Sequence, residues 1–477
     1  MTEMFTMDAP QPRLLDQTPQ GVIHQPVDRP EGSLKVAGQA GYAADHRAAG
    51  LVNGVLVRAT IAKGRVTGMN DAAISAMPGV LGVWEGERLL RNPAQGTAGK
   101  APVQGARDVA YLGQPIALVV AETFEQARDA AQSLILTYDE ATAEVNPDTA
   151  ETVEKPKRKQ LDQGDLDAAL ADAAAVVDAR FTTPGQSSAA MEPHAAVAEW
   201  DGDTLILHGA CQMLKYNRKE LADALGVKAD NVRILAPYVG GGFGGKLGIG
   251  PEAVAAALAA RDLGRPVRVV LSRQQVFEAT MRRSETTQRV RLAADSNGLL
   301  TAISHEYRVS NLPDETFSEP VSVATHFLYG GANRRIVHEV ARVNRTCAGS
   351  VRAPGEAVGM LALENAMDEL AHVLHLDPVE LRLRNIPDAH PESGIPFSAH
   401  GLAACLNSGA DMFGWNARNP APLSHRDGDW WLGMGVASAA RSNILGESQA
   451  RVTLNADGTA LVETDMTDIG TGTYGHL

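Results

Sequence analysis

The sequence is poor in cysteine, and its few thiols are scattered. Cys211, Cys347 and Cys405 are the three cysteines among 477 residues, and no two of them form a Cys-x-x-Cys pair. Neither a disulfide framework nor an iron–sulfur cluster can be built from thiols so far apart. We therefore expect a reducing compartment and no iron–sulfur cluster on this chain.

Positive charge and long apolar runs are also scarce. The 57 acidic residues outnumber the 43 lysines and arginines and give a net charge of -14, which disfavours nucleic acid as a partner. No apolar run approaches the length that spans a bilayer. Residues 1–30 lack the basic start and apolar core of a secretion signal. We expect a cytoplasmic protein without membrane insertion.

The length favours about two to four domains. Residues 1–30 are polar and proline-rich and are predicted to form a flexible arm. Residues 31–145 are predicted to form a small α/β unit, with one helix over Thr67–Met77. A second helix, beginning near Glu122, has strand-like runs before and after it in a β-α-β-like pattern. Residues 146–165 are charged, lack apolar periodicity and have the composition of a linker.

Strands and helices mix over residues 166–420, so the fold class is predicted to be α+β. Strand patterns cover 176–183 and 194–210, and alanine-rich helical patterns, which imply close packing on a sheet, cover 252–264 and 362–376. Residues 425–477 have the pattern of strands from a further domain, including 432–440 and a hairpin at Asn-Ala-Asp-Gly. The pattern stops in mid-course, so we expect this last domain to be incomplete.

The most informative segment is a glycine loop, GGGFGGK, at residues 240–246. It superficially fits a phosphate-binding P-loop and a dinucleotide fingerprint. A P-loop needs Ser or Thr where Leu247 stands, and a dinucleotide site needs an acidic residue after the next strand, where Arg273 stands. A purely structural glycine turn is a further alternative. A third interpretation uses the whole loop: its glycines let the backbone lie against a planar cofactor while Phe243 stands over it.

GGGFGGK resembles the signature of the xanthine dehydrogenase and aldehyde oxidase family of molybdenum hydroxylases. Four further segments that resemble the family follow the same order as in its members: residues 185–200, the GACQM turn around Gln212, residues 350–385 and residues 463–474. The resemblance implies that 31–145 is the family's α/β hammerhead domain. It also implies a first molybdopterin-binding domain at 166–420 and the start of a second, truncated one at 425–477.

The resemblance implies molybdopterin, in its cytosine dinucleotide form, with molybdenum held by the pterin dithiolene rather than by protein ligands. Gln212 is then expected to hydrogen-bond an oxo ligand or a pterin group, and Arg352 to approach the metal. Phe243 and Gly244 are expected to lie beside the metal, and the turn at 470–472 is expected to offer N–H groups to the phosphate or pterin. The cofactor-binding residues implied in this way are Gln212, Gly241, Gly242, Phe243, Gly244, Arg352, Gly470, Thr471 and Gly472.

Two residues bear on the substrate. Purine-oxidising members of the family have a glutamate where Leu247 stands and an arginine where Pro320 stands. A purine facing these apolar residues would lose about 1 to 3 kcal/mol for each buried polar group left unpaired. The resemblance therefore implies oxidation of aldehydes, including aromatic ones, to carboxylic acids with water as the oxygen donor, and a purine dehydrogenase is the alternative.

Electron transfer implies partner subunits. The chain has no cysteine cluster and no flavin motif, so the resemblance implies a [2Fe–2S] subunit and an FAD-binding subunit beside it. The cytoplasmic location would change to periplasmic only if a signal-bearing partner carried the complex across the membrane.

The family's catalytic base is a glutamate in a Gly-x-Gly-Glu loop that this sequence lacks. Glu356 and Glu447 follow glycines but stand in the wrong context, so we assign no catalytic base. His194 is interpreted as a structural hydrogen-bonding group, and Lys246 either balances a phosphate charge or lies in solvent. An active enzyme, an inactive cofactor-binding fragment and a nucleotide-binding protein all remain open.

Overall fold

A computed structural model of the chain describes residues 21, 25–89, 94, 107–441 and 446–476. Most of the flexible arm expected at 1–30 lies outside these residues. Among the described residues, no helix is long and apolar enough to cross a membrane.

Four α-helices of the described residues have twelve residues or more, and the longest of them has eighteen. In chain order they are α1 (Gly32–Val36), α2 (Asp71–Ser75), α3 (Phe124–Ser133), α4 (Leu166–Ala171), α5 (Leu214–Leu225), α6 (Pro251–Leu263), α7 (Arg273–Ala279), α8 (Glu356–Val373), α9 (Pro378–Asn385) and α10 (Leu402–Phe413). Short 3-10 helices cover Ala43–Asp45, Lys157–Lys159, Ala229–Asn231, Trp415–Ala417 and Thr473–His476.

The strands fall into two large sheets and several small ones. In chain order they are β1 (Val52–Arg58), β2 (Gly64–Met69), β3 (Val80–Trp84), β4 (Asp108–Val109), β5 (Pro115–Ala121), β6 (Leu136–Glu140), β7 (Val153–Glu154), β8 (Leu161–Gln163), β9 (Ala175–Thr183), β10 (Gln186–Ser187), β11 (Ala195–Asp201), β12 (Thr204–Gly209), β13 (Val232–Leu235), β14 (Val267–Val270), β15 (Arg282–Arg283), β16 (Thr286–Ala294), β17 (Leu300–Asn311), β18 (Asn333–Arg342), β19 (His425–Asp427), β20 (Trp430–Leu432), β21 (Arg451–Leu454) and β22 (Ala460–Glu463).

One large sheet has seven strands in the order β13-β12-β11-β14-β1-β5-β3. Strands from the predicted hammerhead region therefore lie in the same sheet as strands from the predicted cofactor domain, joined where β1 runs parallel to β14. The alanine-rich helix α6 packs behind it with its alanines buried, and Trp200 on β11 donates to Ala257 O at 2.9 Å. The close packing expected of this helix is confirmed.

The other large sheet has six strands, β7-β18-β17-β16-β9 with β8 also paired to β18. Helix α8 covers one face of it, and Leu363, Met367 and Leu370 pack with Val290 and Leu292 in one buried cluster. Apolar side chains at helical spacing on α8 thus meet alternate residues of the strands, which is the usual way a helix and a sheet share a core. The predicted strands at 176–183 and 194–210 and the helix at 362–376 are confirmed.

The helix predicted over 67–77 is wrong for its first part. Residues Gly64–Met69 form β2, which pairs with β6, and Val66 points into a buried cluster with Ala59 and Ile116. This cross-strand pairing overrides the local helical pattern, and only Asp71–Ser75 is helical. The strand–helix–strand order predicted around the second helix is confirmed as β5, α3 and β6, although β5 and β6 belong to different sheets.

The predicted linker, 146–165, contains regular structure. Residues Val153–Glu154 and Leu161–Gln163 form β7 and β8, which pair with β18 at the edge of the six-stranded sheet. The pairing uses backbone groups, so the charged side chains that suggested a linker stay outside the core.

The final segment contains the predicted hairpin. β21 and β22 pair through the turn in which Asn455 N–H donates to Thr459 O at 2.8 Å and Gly458 has φ +84. The strand predicted over 432–440 is wrong beyond Leu432, because the backbone from 433 to 440 has no regular structure. Both hairpin strands are exposed.

Candidate cofactor-binding site

Two neighbouring parallel strands bring the first two predicted loops together. β12 ends at Gly209 and leads into the turn of Gln212, and β13 ends at Leu235 and leads into the glycine loop. Because these strands are parallel, both loops leave the same edge of the sheet, where ligands commonly bind in α/β structures.

Gln212 is hydrogen-bonded to the glycine loop. Its Oε1 accepts from the N–H groups of Gly244 at 3.1 Å and Lys246 at 3.0 Å, and its own N–H donates to Lys246 O at 2.9 Å. Because backbone N–H groups are donors only, the atom that they contact must be the amide oxygen. Within the described ranges Nε2 has no hydrogen-bond partner, so this amide group is left to donate to a ligand.

Two glycines of the loop are required by the close approach of other segments. A Cβ on Gly242 would overlap the Gln212 amide, and a Cβ on Gly244 would overlap the carbonyl oxygen of Ser350. Gly244 also has φ +96, a conformation that L side chains rarely adopt. The loop is therefore in direct contact with both neighbouring segments.

Arg352 joins the same group of loops. Its N–H donates to Phe243 O at 2.8 Å, and its side chain is exposed. Phe243 has φ +51, which is uncommon for a residue with a side chain, and its ring is 41% exposed. The structure thus brings Gln212, the glycine loop and Arg352 together, with an aromatic ring and a guanidinium facing outward.

The site also contains hydrogen-bond donors without protein partners. In the part of the chain that the structure describes, the N–H groups of Gly241, Gly242 and Phe243 have no acceptor. The hydroxyls of Ser187 and Ser188 are buried without a partner, and Ser188 Oγ lies against Gly245. Successive free N–H groups form a concavity suited to anionic oxygens. Donors, ring and guanidinium together fit a molybdopterin, which offers oxo, pterin and phosphate acceptors.

Lys246 has neither of the roles considered from the sequence. It is 1% exposed, and its Nζ donates to Glu192 Oε2 at 3.0 Å and Glu192 O at 2.9 Å. Burial lowers the pKa of Lys246, and the Glu192 carboxylate opposes that shift. The same carboxylate accepts from Gly240 N–H at 2.8 Å, so the ion pair holds the start of the glycine loop.

This geometry argues against the nucleotide alternatives. The lysine that would contact a phosphate is buried in an ion pair, and α6 begins only at Pro251, well beyond the loop. A P-loop places its lysine at the start of the helix, free to reach the phosphates.

His194 is a structural hydrogen-bonding group, as expected. It is buried, and its Nε2 lies 2.8 Å from Gly245 O, so Nε2 carries the proton. Burial lowers its pKa to about 4, with the positive charges of Lys246 and Arg273 adding to the shift. A neutral imidazole that supports the loop backbone agrees with this position.

The turn at 470–472 differs from the prediction. Gly470 N–H donates to the Asp468 carboxylate at 2.7 Å, and Gly472 N–H also bonds that carboxylate. The buried Asp468 takes these donors because a carboxylate removed from water needs them. The turn does lie beside the glycine loop, since Gly470 approaches Val239 O, and Thr471 is exposed.

Leu247 and Pro320, the predicted substrate residues, lie in different surroundings. Leu247 is partly buried against an apolar cluster of Tyr111, Met281, Leu312 and Cys347. Pro320 lies under the loop that follows Arg352, with its carbonyl against Gly355.

A second buried pair, Arg283 and Glu319, was not expected from the sequence. Arg283 donates to Val351 O at 2.8 Å and contacts Arg352 O, and its Nε lies 3.4 Å from Glu319 Oε1. Glu319 accepts from Gly355 N–H at 2.7 Å. These residues hold the Arg352 loop as Glu192 and Lys246 hold the glycine loop. Glu192 could have been found, because it lies within residues 185–200, one of the segments that resemble the family, whereas Arg283 and Glu319 had no such signal.

The two glutamates that follow glycines, Glu356 and Glu447, are not suitably placed to act as the catalytic base. Glu356 is buried at the first position of α8 and lies 3.8 Å from Arg441 Nε. Glu447 is exposed in the segment from 446 to 450, which has no regular structure. No catalytic base is assigned to this chain.

Comparison with known proteins agrees with the fold. Residues 37–142 match the model of the aldehyde oxidase and xanthine dehydrogenase a/b hammerhead domain, and residues 147–386 match that of the molybdopterin cofactor-binding domain. The latter supports molybdopterin with molybdenum as the cofactor.

Individual relatives are similar over most of this chain. The aldehyde oxidoreductase molybdenum-binding subunit PaoC of Escherichia coli (strain K12) is 44% identical over 459 residues, which are 95% of this chain and 62% of that protein. The putative xanthine dehydrogenase molybdenum-binding subunit XdhA of the same organism is 28% identical, over 93% of this chain and 63% of that protein. This chain therefore spans somewhat less than two thirds of these relatives.

A solved structure shares the fold. The aldehyde oxidoreductase from Desulfovibrio gigas superposes with a TM-score of 0.75 at 24% identity, covering 91% of this chain and 51% of that one. The matched domains, their order and the loops joined at the site lead to one conclusion: the chain belongs to the aldehyde oxidase and xanthine dehydrogenase family.

Proposed function

We propose that this chain is the molybdenum-cofactor-binding subunit of an aldehyde oxidoreductase, which converts aldehydes, aromatic ones included, to carboxylic acids. The observation that carries the proposal is the hydrogen-bonded joining of Gln212, the glycine loop and Arg352 around unpartnered donors. The reaction takes an aldehyde and water to a carboxylic acid, two protons and two electrons. When bound, the cofactor supplies a metal that accepts those two electrons.

The residues of this chain hold and orient the cofactor in this proposal. Gln212 donates from Nε2, and the N–H groups of Gly241, Gly242 and Phe243 donate to oxygen acceptors. The Phe243 ring, 41% exposed, excludes water from one side of the site, and Arg352 supplies a positive charge. Of the turn at 470–472, only Thr471 N–H remains for a ligand, so we assign Gly470 and Gly472 a supporting position.

The substrate class rests on the apolar residues. Leu247 and Pro320 offer no side-chain donor or acceptor to a purine, and each unmatched polar group costs about 1 to 3 kcal/mol. The higher identity to the aldehyde oxidoreductase subunit, 44% against 28% for the xanthine dehydrogenase subunit, supports the same choice.

Electrons must leave through other subunits. We propose a [2Fe–2S] subunit and an FAD-binding subunit as partners. Cys211 and Cys347 are buried, and Cys405 is exposed. The three thiols lie far apart in sequence and are not grouped as ligands of an iron–sulfur cluster. We also propose the cytosine dinucleotide form of the pterin, which acid hydrolysis would test by releasing cytidine monophosphate.

The decisive experiment measures cofactor and activity separately. The chain is purified in the complex with its partner subunits, its molybdenum content is determined, and dye reduction is followed with benzaldehyde and with xanthine. We expect about one molybdenum per chain and reduction with benzaldehyde only. Reduction with xanthine alone would overturn the substrate class, molybdenum without turnover would indicate a cofactor-binding fragment, and absence of molybdenum would overturn the proposal.

A further inference from the structure

A second cluster of metal-ligating side chains lies on the seven-stranded sheet, in residues that the proposed function does not use. Glu199 on β11 and His208 on β12 lie diagonally across an antiparallel pair, because Val197 is opposite His208 and Glu199 is opposite Ile206. Residues in this register share one face of the sheet. His46, which follows the 3-10 helix Ala43–Asp45, lies over the same face.

The three side chains converge and are not engaged elsewhere. One ligand atom from each lies within 4.8 Å of the others, and all three residues are half-buried. The imidazoles of His46 and His208 are stacked with ring centroids 3.4 Å apart and planes 11° apart. Over the described ranges, neither imidazole and neither carboxylate oxygen of Glu199 has a hydrogen-bond partner.

The segment that carries His46 is anchored independently. Arg268 Nη1 donates to Ala44 O at 3.2 Å, while its other nitrogens donate to Asn53 Oδ1. Ala43 N–H lies 3.4 Å from Glu192 Oε1. These contacts place His46 over His208 without help from the imidazoles themselves. Two cations share this face: Arg268, opposite Val197, whose guanidinium is occupied by those acceptors, and the exposed Arg233 on β13, opposite Ile206.

We propose that His46, Glu199 and His208 bind a divalent transition-metal ion, of which zinc is the best match. Two imidazole nitrogens and one carboxylate oxygen are the ligand types that zinc takes, and three protein ligands leave a coordination position for water. Copper and nickel use the same donors, so the class is a borderline cation rather than calcium or magnesium.

Binding requires a small closure of the cluster. Zinc–ligand bonds of about 2.0 to 2.2 Å place neighbouring ligand atoms about 3.3 Å apart in a tetrahedral site. The separations of up to 4.8 Å therefore shorten through side-chain rotation, and the parallel imidazoles turn out of their stack. The bound ion would link residues 43–46 to β11 and β12 and would stabilise the folded chain.

The experiment uses the full chain in its purified complex, without an affinity tag and after treatment with a chelator. Zinc binding is followed by equilibrium dialysis and elemental analysis in the wild type and in His46→Gln, Glu199→Gln and His208→Gln variants. In each variant we expect the affinity for zinc to be at least about tenfold weaker than in the wild type, so that one bound zinc ion per chain is lost. Molybdenum content should stay unchanged, so failure here is distinguishable from failure of the proposed function.

A matched control and a second readout complete the test. His400→Gln, at an exposed position, should bind zinc like the wild type. Hydrogen exchange of residues 43–46 should slow on zinc addition in the wild type but not in His46→Gln, in which the changed residue lies outside the strands of the sheet. Equal zinc binding in all variants, or zinc binding without slower exchange at 43–46, would overturn the site.

Discussion

Lys246 and Glu192 form an ion pair, with 3.0 Å between Nζ and Oε2, that is almost completely buried behind the glycine loop. Removing one partner of such a pair leaves an uncompensated charge, which costs about 3 to 5 kcal/mol. We expect Glu192→Ala to lower the free energy of unfolding by that amount and to reduce molybdenum content, because Gly240 also loses its acceptor. Urea denaturation and metal analysis measure both effects.

The matched control for this variant is an exposed pair. Arg65 Nη1 and Asp108 Oδ1 are 2.7 Å apart, but the two side chains are 63% and 59% exposed. Asp108→Asn should change the free energy of unfolding by less than about 1 kcal/mol. Similar losses in Glu192→Ala and Asp108→Asn would contradict the assigned role.

Gly244→Ala should abolish cofactor retention. The added Cβ would overlap Ser350 O, and the backbone would be strained at φ +96. Gly409→Ala, where a Cβ meets nothing within 4 Å on helix α10, is the control and should retain the cofactor. The measurement is the molybdenum content of the two purified variants. A Gly244→Ala protein that retains the cofactor would refute the close packing of this loop.

Acid should destabilise the fold through buried histidines. Burial lowers the pKa of His194 to about 4 and of His305 and His338 to about 3, from an ordinary value of 6.5. Between pH 6.5 and about 4 the unfolded chain binds protons that the folded chain does not, so stability falls as pH falls through this window. The pKa shift of His194 alone accounts for roughly 3 kcal/mol of the loss in the free energy of unfolding.

The test compares the urea midpoint at pH 7.5 and pH 4.5. His194→Gln, which keeps a donor for Gly245 O, should show a smaller loss than the wild type. His400→Gln, exposed, should show the same loss as the wild type. An unchanged loss in His194→Gln would mean that this imidazole is protonated in the folded state.

Glu252 should have the opposite pH dependence. It is buried in the first turn of α6, and burial raises its pKa to about 7 from 4.5, although its own backbone N–H and Lys246 oppose the shift. The unfolded chain releases this proton at lower pH, so the associated stability is lost as pH rises from 4.5 through 7. Glu252→Gln should raise the free energy of unfolding at pH 8 by about 1 to 3 kcal/mol and leave it nearly unchanged at pH 4.5.

Only one thiol should react in the folded protein. Burial raises the pKa of Cys211 to about 12 and also raises that of Cys347, so neither forms the reactive thiolate, whereas Cys405 is exposed. Titration with a disulfide reagent at pH 8 should give one thiol per native chain and three in denaturant. Cys405→Ser should leave no rapidly reacting thiol.

Much of this architecture could be predicted from short-range patterns. Alternating strands such as Ala175–Thr183 and the alanine-rich α6 have signals within a few residues of themselves. The loops of Gln212 and Phe243 were identified through a family resemblance, because each contains a compact motif. The ion pair of Arg283 with Glu319 joins residues from distant segments with no local motif, so single-sequence reasoning had no access to it. The same holds for β2, whose strand state depends on pairing with β6.

The seven-stranded sheet also restricts the order in which the chain can acquire structure. Val52 pairs with Val267, so β1 has no parallel neighbour until β14 has been synthesised. Such distant pairing slows folding and keeps early apolar strands exposed during translation. The N-terminal region is therefore a poor candidate for expression by itself, and a newly made chain needs protection from aggregation until at least residue 270 has left the ribosome.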